Sequence, residues 1–178
     1  MRKILLSCFI FIVAALLFTN ITFAQGVASE SAKNNYQLPY PGLLPDNPLY
    51  SIKALRDRII EFLIADPIKK AEFDLLSADK RLSIGVALFD KKKYELAETT
   101  ISKGENYFEG GIKNLETARK EGRQLDPSLL VAFDSSARKH KEILEGLVKR
   151  ASGDLEKKLN KSLQRVTEFV GMVDKLKL

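Results

Sequence analysis

A chain of 178 residues with 45% hydrophobic and 29% charged positions, 10 glycines and 6 prolines is too apolar for disorder and too poor in Gly and Pro for a fibrous chain. A single Cys excludes a disulfide framework and a Cys-based zinc or iron–sulfur site, and a single His excludes a two-His metal motif. The formal net charge is +6, so an anionic partner is the natural complement.

Met1, Arg2 and Lys3 open the chain with positive charge, residues 4–18 form an apolar run, and Thr22-Phe23-Ala24 places small residues before Gln25. This three-part layout predicts a secretory signal peptide over 1–24, cleaved after Ala24. The alternative is a retained N-terminal anchor, since the run extends through Ile21 and Phe23. Leu5-Leu6-Ser7-Cys8 has the letters of a lipoprotein cleavage box but lies at the start of the apolar run, which excludes that use. Cleavage would leave 154 residues without Cys, carrying 27 basic and 23 acidic side chains.

Residues 25–38 are small and polar without apolar periodicity and are expected to form a flexible spacer. Pro39, Pro41, Pro45 and Pro48 then make a stiff, extended lead-in, whose Tyr40, Leu43 and Leu44 could lie down on the domain. Asn47-Pro48, Asp66-Pro67 and Asp126-Pro127 each set an Asx N-cap before a proline at the first helical position, where the missing N–H costs nothing.

From Pro48, the residues Leu49, Ile52, Leu55, Ile59, Phe62 and Leu63 predict a short helix ending at Ala65. From Pro67, Ile68, Ala71, Leu75, Ala78, Leu82, Gly85 and Phe89 step by threes and fours up to the Lys91-Lys92-Lys93 turn. A third series runs Tyr94, Ala97, Ile101, Gly104, Phe108, Gly111, Leu115 and Ala118 to a stop at Gly122, with Gly110-Gly111 either inside the helix or breaking it. From Pro127 come Leu130, Phe133, Ala137, His140, Leu144, Leu147 and Ala151; after a break or bend at Ser152-Gly153, Leu155, Leu159, Leu163, Val166, Val170 and Val173 continue. No segment alternates with period two long enough for a strand. The expected fold is all-α: an elongated, antiparallel up-and-down bundle of about four helices with coiled-coil-like seams, a short first helix packed against longer ones, in one domain over 39–178. Gly85, Gly104 and Gly111 sit on the seams, where they permit close helix approach.

Pro41-Gly-Leu-Leu-Pro-Asp-Asn-Pro-Leu-Tyr50, Arg56-Asp-Arg58, Ala65-Asp-Pro-Ile-Lys-Lys-Ala-Glu72, Asp79-Lys-Arg-Leu82 and Lys93-Tyr-Glu-Leu-Ala97 follow one another in order. Over residues 39–115 this resembles an uncharacterised family of exported bacterial helical domains with a Pro-Asp-Asn/Ser-Pro-Leu/Phe-Tyr lead-in. The resemblance implies secretion and a helical fold. The family is a domain of unknown function and transfers no catalytic residue. Residues 67–119 also resemble a tetratricopeptide-type helix pair, but one unit makes no solenoid.

The chain has no Gly-rich phosphate loop, no Gly-x-Ser-x-Gly elbow and no His-Glu-x-x-His. Glu95-Glu98 and Glu72-Asp74 are close carboxylate pairs, simpler as solvated faces than as the dyad of a hydrolase. His140 lies on a helix seam among Arg138, Lys139 and Lys141; a cofactor role would need a partner such as Met172, which is off the last seam. No catalytic, metal or cofactor site is therefore expected. Residues 138–178 hold 11 Lys or Arg against 6 Asp or Glu. Lys149, Arg150, Lys157, Lys158 and Lys161 form a candidate patch for an anionic envelope polymer, against the alternative of ordinary pairing with Glu142, Glu145, Glu156 and Glu168. Nucleic acid is not expected, because no aromatic residues accompany the lysines. The expected role is an exported, non-enzymatic interaction module of the bacterial envelope that meets an envelope protein, an anionic polymer or the membrane surface; a ligand- or metal-responsive sensor bundle is the alternative.

Overall fold

A computed structural model describes residues 35–177; the expected leader and most of the expected spacer lie outside them. Asn34–Leu178 form one compact unit. Five helices follow in order: α1 (Tyr50–Leu63), α2 (Pro67–Asp90), α3 (Tyr94–Lys120), α4 (Pro127–Val148) and α5 (Gly153–Leu176). There is no strand among the described residues.

The starts of α2 and α4 follow the Asx-Pro logic. Asp66 accepts from the Lys69 N–H at 2.9 Å and Asp126 from the Ser128 N–H at 2.8 Å, with Pro67 and Pro127 as first helical residues. The third such pair behaves differently. Asn47 accepts from the Leu49 N–H at 2.9 Å in an Asx turn, and α1 begins only at Tyr50, without a side-chain cap.

α2 and α3 are joined by the lysine turn and form the most extensive helix pair, with α4 and α5 as the second pair; α3 against α5 and α2 against α4 close the bundle. The seam glycines explain the closeness of the first pair. A methyl at Gly85 would run into the Ile101 side chain, and one at Gly104 would stand 3.2 Å from the Ala78 carbonyl oxygen. Gly111 makes room for Phe133, whose Cζ would lie 2.9 Å from an added Cβ. α3 runs unbroken through Gly110-Gly111. At Gly153 the chain takes φ +65, a left-handed conformation that suits glycine, and α4 and α5 are separate helices packed on each other.

At the centre of the bundle Phe108 of α3 stacks on Phe169 of α5 with centroids 5.3 Å apart, and meets Phe133 of α4 edge-on at 5.5 Å. Both Phe108 and Phe133 are fully buried.

The short first helix departs from expectation: α1 contributes no buried residue. Its half-buried residues are Tyr50, Lys53, Ala54, Asp57, Ile60 and Glu61, while Ile52, Leu55, Ile59, Phe62 and Leu63, with Leu49 just before the helix, are exposed. The expected burial of that apolar series against the longer helices is therefore corrected. The physical reason lies in what α1 meets. Arg81 of α2 lies over the Tyr107 ring of α3 at 4.6 Å, so the outer surface there offers a guanidinium and a phenol, and the polar flank of α1 docks on them. Tyr107 Oη donates to Glu61 Oε2 at 3.1 Å, and Arg81 Nη1 to Tyr50 Oη at 3.4 Å.

Candidate functional site

Two features of the described residues stand out: a polar cluster closed inside the bundle, and the apolar face of α1 turned away from it. The cluster centres on Asp79 of α2, which is 2% exposed. Ser136 and His140 are one turn apart on α4 and reach the same carboxylate oxygen: Ser136 Oγ donates to Oδ1 at 2.5 Å, and His140 Nε2 lies 2.8 Å from it. Tyr36 comes from the segment before the prolines and donates its hydroxyl to Oδ2 at 2.5 Å. Burial and the neighbouring Asp79 carboxylate push the Tyr36 phenol far above its ordinary range, so it serves as a donor at every physiological pH.

Ser, His and Asp thus meet, but in an arrangement unlike a nucleophilic triad. The serine is bonded to the aspartate, and the carboxylate, the imidazole and the hydroxyl are all sealed from solvent. Their effect is to fasten. Tyr36 and Leu38, the end of the stretch read as spacer, are held on the bundle, as is Pro39, whose carbonyl accepts from Ser83 Oγ at 2.8 Å. Leu44 also packs on the core, whereas Tyr40 and Leu43 stay exposed.

Two further carboxylates are buried nearby. Asp74 of α2 accepts from Asn114 Nδ2 at 2.8 Å, and burial pushes its pKa up to about 7. Glu105 of α3 is raised by burial, with Ser162 and Arg165 of α5 pulling the other way. Arg165 bridges Glu105 at 3.3 Å and Glu109 at 2.5 Å, tying α5 to α3. Of the close carboxylate pairs in the sequence, Glu72 is bound by Lys69 at 3.0 Å while Asp74 faces Asn114, so the two do not share a site.

The second feature is the outer side of α1. Ile52, Leu55, Ile59, Phe62 and Leu63, with Leu49 just before the helix, are each at least half exposed, and Phe62 is 87% exposed. The other exposed positions of α1 are Ser51, Arg56 and Arg58, whereas Asp57 and Glu61 lie on the half-buried side. The result is a line of apolar side chains exposed along one side of α1, with arginines and a serine as the other exposed positions.

A family model recognises α1 to α4 and most of α5, with the end of the lead-in: the model of a domain of unknown function, DUF5667, matches residues 42–169. The chain belongs to the DUF5667 family. No curated protein and no solved structure matches it. The matched span of the DUF5667 domain takes in the whole of α1, so the outward-facing helix lies inside the family's unit, while Tyr36 lies before it.

In this DUF5667 domain the basic residues singled out from sequence lie on the turn between α4 and α5 and on the first turns of α5, all exposed. Arg150 pairs with Asp90 at 2.6 Å and stacks over the Phe89 ring at 4.9 Å, and Lys158 pairs with Asp154 at 3.1 Å with Glu95 and Glu98 nearby. Lys149, Lys157 and Lys161 stand exposed beside them. An open cleft of about 500 Å³ lies between the ends of α3 and α5, lined by Glu116, Arg119, Lys120, Met172, Lys175 and Leu176. Met172 is there at the surface while His140 is buried against Asp79, so the two do not form a ligand pair. Among the described residues no helix is long and apolar enough to cross a membrane.

Sequence reasoning missed the Asp79 cluster and the orientation of α1. A signal for the first was present: a seam His and a small polar Ser136 four residues apart call for a buried acceptor on the facing helix.

Proposed function

We propose that this DUF5667 domain is an exported, non-enzymatic interaction module of the cell envelope, whose contact surface is the outer face of α1. The observation that carries this reading is the set of six apolar side chains from Leu49 to Leu63 held outward by polar contacts on the opposite flank of the same helix. A helix whose apolar side served the fold would bury it; this one leaves it free for a partner. The leader-like N-terminus supports export, and the carboxylates and His140 support a non-enzymatic role because Asp79, Asp74 and Glu105 are engaged in holding helices together.

Cell fractionation with the double variant Leu55→Ser and Ile59→Ser tests the reading. The wild-type chain is expected in the envelope fraction with a new N-terminus at Gln25. The variant is expected to keep its helicity and thermal midpoint but to wash out of that fraction. Full-length protein loose in the cytosol, or a variant that unfolds, would overturn the proposal.

A further inference from the structure

The chemistry of the α1 face narrows the partner, taking the face to be the contact surface as proposed above. Helical position sorts the side chains of α1 with little overlap. The outward arc is Leu49, Ile52, Leu55, Ile59, Phe62 and Leu63. Arg56, three or four residues from Ile52 and Ile59, borders one side, and Arg58, three or four from Leu55 and Phe62, borders the other. Of the two acids of the helix, Glu61 is turned inward onto the Tyr107 hydroxyl, and half-buried Asp57 is taken up by Lys53 and by Arg56, whose Nε and Nη2 both donate to its Oδ1. Every exposed position of α1 is therefore apolar, arginine or Ser51.

We infer that α1 is an in-plane anchor for an anionic lipid surface. A 14-residue helix is about 21 Å long, too short to span a bilayer and suited to lying along it. Its apolar arc enters the boundary between headgroups and acyl chains, and Arg58, which has no acidic partner on the helix, extends its guanidinium group to lipid phosphates, while Arg56 exchanges its Asp57 contact at 2.8 Å for one. The charge pattern separates this partner from a second copy of the chain. A two-fold contact through α1 would set its arginine margins against each other, with Asp57 already taken up by Arg56 and no fully exposed acid on the helix to pair with Arg58. The position of α1 in the chain agrees: it is the first helix after the 4–18 apolar run, and whether that run is cleaved or kept, an exported chain meets a membrane there.

The chain lacking residues 1–33 keeps the whole compact unit and is the material for the test, which is vesicle flotation. Vesicles of phosphatidylcholine with about 30% phosphatidylglycerol are expected to carry the protein up, and pure phosphatidylcholine or about 0.5 M NaCl to weaken this markedly. Ile59→Ser with Phe62→Ser, and separately Arg58→Glu, are expected to lower the bound fraction at subsaturating lipid by about tenfold in partition coefficient, with unchanged circular dichroism. The chain has no Trp, so Phe62→Trp gives a clean reporter whose emission shifts to the blue on the anionic vesicles. Absence of flotation with no shift at Trp overturns the inference, as does flotation indifferent to the α1 variants. A wild-type dimer in light scattering that these variants dissociate reassigns the face to self-association and also overturns it. Vesicle binding that persists while fractionation finds the full-length chain in the cytosol refutes the export reading alone.

Discussion

The helices α1 and α4 are similarly one-sided in sequence, yet they use that asymmetry in opposite ways. Phe133, Ala137, His140, Leu144 and Leu147 of α4 all point into the bundle and are buried, whereas the equivalent series of α1 points out. The difference comes from the surfaces they meet. α4 lands where Phe108, Gly111 and Phe169 offer an apolar recess; α1 lands on Arg81 and Tyr107. An amphipathic pattern fixes that a helix has two sides, and the neighbour decides which one it turns inward.

The contrast breaks most forcefully at the centre. Phe108→Ala removes a ring that touches Phe133, His140 and Phe169, and is expected to cost about 3–5 kcal/mol in chemical denaturation. If it costs no more than a surface change, α3, α4 and α5 do not share one core. Asp79→Ala comes next. It strands the buried Tyr36, Ser136 and His140 groups at an expected cost of about 2–3 kcal/mol, and proteolysis should then nick the chain ahead of Pro39 before the helices melt. Loss of stability without early nicking would show that Tyr36 is held by something else.

The pH dependence sharpens the comparison from the bundle side. The folded Asp74 carboxyl titrates at about 7 and its unfolded counterpart near the ordinary 3.8, so between these values the folded state holds the extra proton. Stability from this group is full below about pH 4 and lost as pH rises through about 7, with a slope of at most about 1.4 kcal/mol per pH unit. Asp74→Asn should flatten that slope and relieve the penalty at neutral pH, measured as urea midpoints from pH 5 to 8. The smallest expected effect belongs to α1: Leu55→Ser or Ile59→Ser should shift stability by no more than about 0.5 kcal/mol, against several for a comparable change at Leu144. Equal losses at the two sites would erase the distinction between the helices.

Much of this fold can be read without coordinates. Asp66-Pro67 and Asp126-Pro127 announce two helix starts because each residue solves a separate end problem, and the three-four stepping carries through Gly85, Gly104 and Gly111 since small residues are what close seams require. The candidate site was less visible. Periodicity identifies Leu49, Ile52, Leu55, Ile59, Phe62 and Leu63 as one face but says nothing of where the face looks. Asp79 precedes Lys80 and Arg81 and looks like one more surface charge; only the fold brings Ser136, His140 and Tyr36 to it. Tyr36 itself is an isolated aromatic in a polar stretch, with no local pattern to set it apart.

The Asp79 clasp also sets an order of events. Its donors sit 43 residues before it and 57 and 61 residues after it, so the carboxylate is left hydrated until α4 has been delivered. The cluster is complete only when residue 140, nearly four-fifths of the way along the chain, is in place, so the carboxylate that fastens the first described residues is itself satisfied by the second helix pair.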